Sequence, residues 1–255
     1  MNQKMTSPGK EPVSLIIQGA WVLTMNPQDQ VFSPGAVQTI VIQVAKEYEQ
    51  KTGNAVRFVF DTGGAVTKRV AAGERGDVVI APAAGLADLA KSGQVIGASI
   101  RALGAMGVGV AVRKGAAQPD IRDVAAFKKS MLAARSIMFA DPGKGAQSGI
   151  HVAKVLAQLG IDKDIQPRLQ LRDRGPDGLK EVAAGTIEIG LGQISEILAN
   201  KDVVLVGPLP APIQDLVTFS AALHSSAKDN RAAEELIRML VAPAAKELFK
   251  QAGFV

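Results

Sequence analysis

Apolar runs alternate with amphipathic stretches along almost the whole chain. Residues 56–60, Val-Arg-Phe-Val-Phe, read as a strand that stops at Asp61-Thr62-Gly63-Gly64. Residues 65–72 then predict a short helix ending at Gly73. Residues 77–81, Asp-Val-Val-Ile-Ala, form a continuous apolar strand of the kind buried on both faces of a parallel sheet. A further helix is expected over 86–91, closed by Gly93. The clearest amphipathic helix covers 37–50, with Ile40, Val41, Val44 and Tyr48 on one face and Gly53 as its stop. Because that helix begins at Val37, the strand before it must lie within 13–23.

Around 106–112 the pattern becomes a glycine-spaced strand, Met-Gly-Val-Gly-Val-Ala-Val, with no helix directly before it. A second alternating unit follows. Helices are expected at 123–134, 149–159 and 178–184, strands at 136–140 and 186–191, a strand-like run at 168–171 and a short helix at 195–198. Late strands at 203–206 and 216–223 precede two closing helices within 230–252, split at Pro243. Repeated strand–helix units imply an α/β fold with parallel sheets. Two such units joined by a glycine-rich strand imply two lobes, with a ligand in the crevice outside the strand C-termini. The expected division is 13–105 with 205–255 as the first lobe and 106–204 as the second, leaving 1–12 as a disordered tail.

Composition narrows the chemistry. The 255 residues include no Cys and only two His, His151 and His224, which excludes disulfides, thiolate sites and any polyhistidine metal centre. No metal or other cofactor is expected. Aromatic residues are 4% of the chain, too few for base-stacking platforms, and the net charge of +5 is scattered rather than gathered in a block. A mild positive field suits a small anionic ligand, and nucleic acid is not expected as a partner. No run approaches the ~20 apolar residues of a membrane span. Lys4 and Lys10 precede an apolar run at 13–23, but Glu11 and Pro12 abut it, Gln18 interrupts it and no small-x-small cleavage site follows. A leaderless, cytoplasmic protein is the expectation.

Candidate chemistry lies at strand–loop–helix junctions rich in small and hydroxyl residues. Asp61-Thr62-Gly63-Gly64-Ala65 is one and Asp141-Pro142-Gly143-Lys144-Gly145-Ala146-Gln147-Ser148-Gly149 a second; Ser33-Pro34-Gly35-Ala36 and Gln193-Ile194-Ser195 are further candidates. Each sets backbone N–H groups and hydroxyls at a helix N-terminus, a ready anion site, although plain helix capping explains any one of them equally.

From Gly35 onward the chain resembles the molybdate-binding-protein family of solute receptors, with the type 2 periplasmic-binding fold. The matching features are Thr62-Gly63-Gly64-Ala65 with Lys68-Arg69, Gly76-Asp77-Val78-Val79-Ile80, Phe139-Ala140-Asp141-Pro142, Gln147-Ser148-Gly149-Ile150-His151, Gly185-Thr186-Ile187-Glu188-Ile189-Gly190 and Gly207-Pro208-Leu209-Pro210. The resemblance implies two α/β lobes, hinged by crossing strands, that close on a small anion held by loop hydroxyls and amides. Receptors of the molybdate type commonly carry a Tyr where this chain has Gln193. The stretch Gly192-Gln193-Ile194-Ser195-Glu196-Ile197 instead resembles a subgroup that includes aconitate isomerase, which acts on a tricarboxylate. Residues 13–25 resemble the opening strands of metal-dependent amidohydrolases, whose His ligands are missing nearby, so that activity is not implied. The segment 21–34 looks inserted or fused, which puts Ser33 and Ala36 in doubt as ligand contacts.

The residues expected at the site are Thr62, Gly63, Gly64, Ala65 and Lys68 from the first lobe and Gln147, Ser148, Gly149, Gln193 and Ser195 from the second. His151, at a predicted helix start inside the cleft, could act as a base on a carbon next to a carboxylate, or could simply pack on the lobe. Arg69, Arg172 and Arg174 could reach a polyanion or could be solvated charges. Asp61 and Asp141 end strands, where capping competes with catalysis. His224 reads as solvated, and Met131 and Met138 as core filler. Two functions stay open. One is a cofactor-free isomerase acting on a small di- or tricarboxylate, with His151 or a cleft carboxylate as base. The other is a non-catalytic receptor for molybdate-like oxyanions or carboxylates, in sensing or with an ABC permease as partner and then periplasmic.

Overall fold

A computed structural model describes residues 13–18, 36–228 and 230–255. The expected tail 1–12, the segment 21–34 and Ser33 therefore lie outside the described residues. In chain order the first unit comprises β1 (Val13–Gln18), α1 (Ala36–Thr52), β2 (Val56–Asp61), α2 (Gly63–Ala71), β3 (Val78–Pro82), α3 (Ala83–Lys91) and β4 (Arg101–Met106). The second comprises β5 (Val108–Arg113), α4 (Val124–Ala133), β6 (Ile137–Ala140), α5 (Gln147–Gln158), α6 (Asp162–Ile165), β7 (Leu169–Arg172), α7 (Gly175–Ala184), β8 (Ile189–Gln193), α8 (Ile194–Ala199) and β9 (Val203–Pro208). The chain then returns through β10 (Val217–Leu223), α9 (Arg231–Leu240) and α10 (Pro243–Gln251).

Two sheets result. Among the described residues the first runs β2-β1-β3-β10-β4 and the second β7-β6-β8-β5-β9. In each, the three strands of the βα units are parallel; β10 in the first sheet and β5 in the second run antiparallel to them, and the outer strands β4 and β9 pair antiparallel to β10 and β5. The second sheet keeps β9: Val203 pairs with Arg113 and Pro208 with Gly109. The lobe boundary expected at 204–205 therefore moves beyond Pro208, because the glycine-spaced β5 needs an antiparallel partner on its outer edge.

Both lobes bury apolar side chains on both sheet faces, as continuous apolar strands require. In the first lobe Tyr48, Val41 and Phe249 pack with Phe60 and Phe219 on one face, while Val66, Val70, Leu86 and Leu89 pack with Val79 and Ala81 on the other. In the second, Phe127, Met131 and Leu156 cover Val110 and Phe139, and Leu179, Val182 and Ile197 cover Ala111 and Met138. Met131 and Met138 are fully buried core residues. Tyr48 is likewise core, its hydroxyl accepting from the Asn54 amide nitrogen at 3.0 Å. No described helix is long and apolar enough to cross a membrane.

Candidate functional site

The C-terminal ends of the parallel strands deliver two helix starts to the gap between the sheets. At β2, Thr62 caps α2: its Oγ1 accepts from the Ala65 N–H at 3.2 Å, and the first regular helical bond is Val66 N–H to Thr62 O at 2.9 Å. The amides of Gly63 and Gly64 precede that first bond and are left for a ligand. At β6, Asp141 accepts from the Gly143 N–H at 2.8 Å and shapes a turn over 142–144. Gly145 follows with φ +74°, and α5 begins with Ile150 N–H to Ala146 O at 2.9 Å. The amides of 147–149 therefore lie ahead of the helical ladder, facing an environment that favours anions.

The two loops touch across the gap. Thr62 Oγ1 donates to the Lys144 carbonyl at 3.1 Å. A Cβ built on Gly64 would stand 3.3 Å from the Gly145 carbonyl oxygen, so glycine permits this approach. Beneath lies a cavity of about 10 Å³, walled by Gln147, Ser148, His151 and Gln193 and by Met106, Val108, Val217 and Phe219 of the crossing strands. That volume holds about one water, so a carboxylate-bearing ligand enters only when the lobes part.

Four of the expected site residues, Gln147, Ser148, His151 and Gln193, thus share one cavity. His151 lies one turn into α5, with Nε2 at 2.9 Å from the Ile213 carbonyl. A carbonyl can only accept, so Nε2 carries a proton, and in the neutral ring the lone pair is on Nδ1. Two wall residues escaped the sequence reading. Asp215 brings an exposed carboxylate to the same cavity. Gln214 clamps the crossing strands, donating through Nε2 to the Val108 carbonyl at 2.7 Å and accepting the Val108 N–H at 3.1 Å. Both lie in a connection whose only sequence signal is the polar break between Pro212 and Val217.

Other expected residues have structural duties instead. Gly149 is a packing residue: a side chain there would overlap the Ala140 carbonyl oxygen. Arg69 forks onto Glu74 at 2.6 and 2.7 Å and reaches Asp61 at 3.2 Å, so neither Arg69 nor Asp61 is left for a ligand. Those bonds raise the Arg69 pKa and hold the Glu74 carboxyl below its ordinary range. Arg172 pairs with Glu181 and Arg174 with Asp177. Lys68 stays exposed on α2, beside the loop rather than in the cavity. Ser195 is buried behind Gln193, with no partner for its Oγ among the described residues. His224 is buried rather than solvated, because an isolated bridge to Val95 draws it against the lobe and its Nδ1 accepts the Ser226 N–H at 3.1 Å. Burial lowers its pKa, with Arg75 adding to the effect and Asp77 opposing it.

Glu196 is a further residue missed from sequence. It sits in the first turn of α8, with Oε2 sealed from solvent, lacking a partner among the described residues and close against Gly175 at the start of α7. Burial pushes its carboxyl up to about 8, with Arg174 pulling it down and Asp177 pushing it up. Among the described residues no three acidic or histidine side chains converge as a metal-ligating group.

The comparisons with known proteins agree with this architecture. A model described as bacterial extracellular solute-binding protein matches residues 30–255. An aconitate isomerase from a Pseudomonas species is 31% identical over 229 residues, 88% of this chain and 86% of that one. The molybdate-binding protein ModA of Azotobacter vinelandii is 29% identical over 134 residues, 51% of each chain. The solved periplasmic molybdate-binding protein of Azotobacter vinelandii superposes with a TM-score of 0.72 at 17% identity, covering 95% of this chain and 98% of that one. The expected two-lobed α/β fold of the type 2 periplasmic-binding class is thus the observed one, and the chain belongs to the bacterial extracellular solute-binding protein family.

Proposed function

We propose that this protein is a cytoplasmic, cofactor-free isomerase that moves a double bond in a small unsaturated di- or tricarboxylate such as aconitate, with His151 as the base. The observation that carries the reading is His151 itself: it lines the cavity between the lobes, and the Ile213 carbonyl sets the tautomer of its neutral ring, with the proton on Nε2 and the lone pair on Nδ1. Similarity to an aconitate isomerase along most of both chains supports the substrate class. With the lobes open, substrate carboxylates would meet the amides of Gly63 and Gly64 and the charge of Lys68 on one side. On the other side they would meet the amides of 147–149 with Gln147, Ser148 and Gln193.

Nδ1 takes a proton from the saturated carbon between a carboxylate and the alkene. The electron pair delocalises over the allylic carbons and onto the carboxylate, where helix-start amides stabilise the developing charge. The imidazolium exchanges that proton with solvent and delivers a proton to the far allylic carbon, the double bond shifts, and the imidazole is neutral again. Proton NMR of the protein with cis- and trans-aconitate in D2O tests this. Deuterium entering the ligand is the expected result, and His151→Ala should abolish it while ligand-induced thermal stabilisation persists.

A receptor reading is favoured by the free amides at the starts of α2 and α5, which suit any oxyanion, and by similarity to molybdate-binding proteins. Under it the protein would be periplasmic, with an ABC permease as partner. Ligand line broadening with no exchange, together with recovery in the periplasmic fraction, would replace the isomerase by this reading.

A further inference from the structure

We propose a second ligand site on the first lobe, at the end of its sheet remote from the cleft, that takes a medium-chain aliphatic monocarboxylate. The proposal is independent of the isomerase reading. β10 begins in the cleft, where Val217 and Phe219 wall the cavity, and ends at Leu223, which pairs with Val78 at the opposite end of β3. Along a strand that separation is about 20 Å. At this far end opens a groove of about 450 Å³, within the roughly 300–1,000 Å³ typical of small-molecule sites.

The lining is amphipathic. Ile96, Leu223 and Ile237 form an apolar floor, with Val241, just past the end of α9, extending it. Among the described residues three cations, Arg101, Lys228 and Arg238, stand on the rim against one acid, Glu234. Arg101 is held in position by donating Nη1 to the carbonyls of Ala98 and Ile100 at 2.8 and 2.9 Å, with no carboxylate paired to it among the described residues. Lys228 and Arg238 pair with no carboxylate among the described residues. An aliphatic tail on the floor with one carboxylate at the rim matches both the shape and the excess of positive charge. Glu234 disfavours a second anionic group, which separates this ligand from the polyanions suited to the cleft.

Isothermal titration of the full chain with octanoate and decanoate tests the site, with decyltrimethylammonium as the charge control. The expected result is saturable binding of both acids, tightening by up to about fourfold per added methylene, and no binding of the cation. Lys228→Glu with Arg238→Glu, both exposed positions, should weaken decanoate by at least about tenfold. Val241→Asp should weaken it through the floor, and His151→Ala should leave it unchanged. Equal binding of the cationic surfactant, full retention in the charge-reversed variant, a loss confined to His151→Ala, or no saturable binding at all would each overturn the proposal. An occluded groove, covered by another segment of this chain or by a second copy, gives the last of these results.

Discussion

Thr62 and Lys144, on opposite lobes and 82 residues apart, are joined by a 3.1 Å hydrogen bond from the Thr62 hydroxyl to the Lys144 carbonyl. The same hydroxyl accepts the Ala65 N–H, so one oxygen both caps α2 and latches the cleft. Thr62→Val keeps the shape and removes both bonds. The cap alone is worth about 1 kcal/mol, so the melting temperature should fall by a few degrees. Small-angle scattering of the unliganded protein should also report a larger radius of gyration for Thr62→Val and none for Thr62→Ser. Identical scattering from all three proteins would show that this bond does not hold the lobes together.

How much of this was legible in the sequence depends on how local the signal is. The βα units and the two helix starts were readable because Thr62-Gly63-Gly64 and the loop from Asp141 to Ser148 follow apolar strands, a pattern carried by neighbouring residues. Pairings that span long separations left no local trace: His151 finds Ile213 62 residues away, and Gln214 finds Val108 106 residues away. His224 was misread because a Ser-rich setting suggests a solvated loop, while the strand bridge that buries it comes from Val95. Nothing local to Glu196 marks it for burial, since only the packing of α8 beside α7 seals its carboxyl. Gly149 matched a ligand-loop pattern for a different physical reason, since a missing side chain serves close packing and ligand approach alike.

That packing role makes Gly149→Ala a sharp test. The new methyl would meet the Ala140 carbonyl, which is backbone of a buried strand and cannot rotate away. Overpacking of this kind costs about 1–3 kcal/mol and should displace the start of α5. Chemical denaturation should give a lower midpoint with an unchanged slope. A variant as stable as the parent would mean that α5 can shift freely, and the case for a fixed His151 would weaken with it.

Gln214 supplies both a donor and an acceptor to the backbone of Val108, imitating one rung of a sheet between the two crossing segments. Gln214→Ala leaves both Val108 groups without partners, at a cost of about 1–3 kcal/mol if water does not replace the amide. Gln214→Glu retains the acceptor but turns a carboxylate oxygen toward the Val108 carbonyl, and should be at least as damaging near neutral pH. Thermal melts that rank the alanine variant below the parent and the glutamate variant no better than alanine are expected. Equal stability of all three would remove Gln214 from the hinge.

Glu196 makes stability depend on pH in a direction opposite to that of the other carboxylates whose pKa values are shifted. Its carboxyl rises from 4.5 to about 8 on folding, through burial. Between those values the folded chain holds a proton that the unfolded chain has released. The contribution is therefore complete below pH 4.5 and is lost as pH climbs through 8, by on the order of 1.4 kcal/mol per unit. Glu74 and Glu181 act the other way: arginine bonds lower their pKa values, so their contribution is present above the ordinary glutamate range and disappears on acidification below it. Glu196→Gln preserves the shape of the side chain without its titration. Between pH 5 and 8 the parent should lose stability as pH rises, while Glu196→Gln should stay flat and exceed it at pH 8. Parallel curves for the two proteins would place the Glu196 carboxyl in contact with water, and its buried, unpartnered oxygen would then be ruled out.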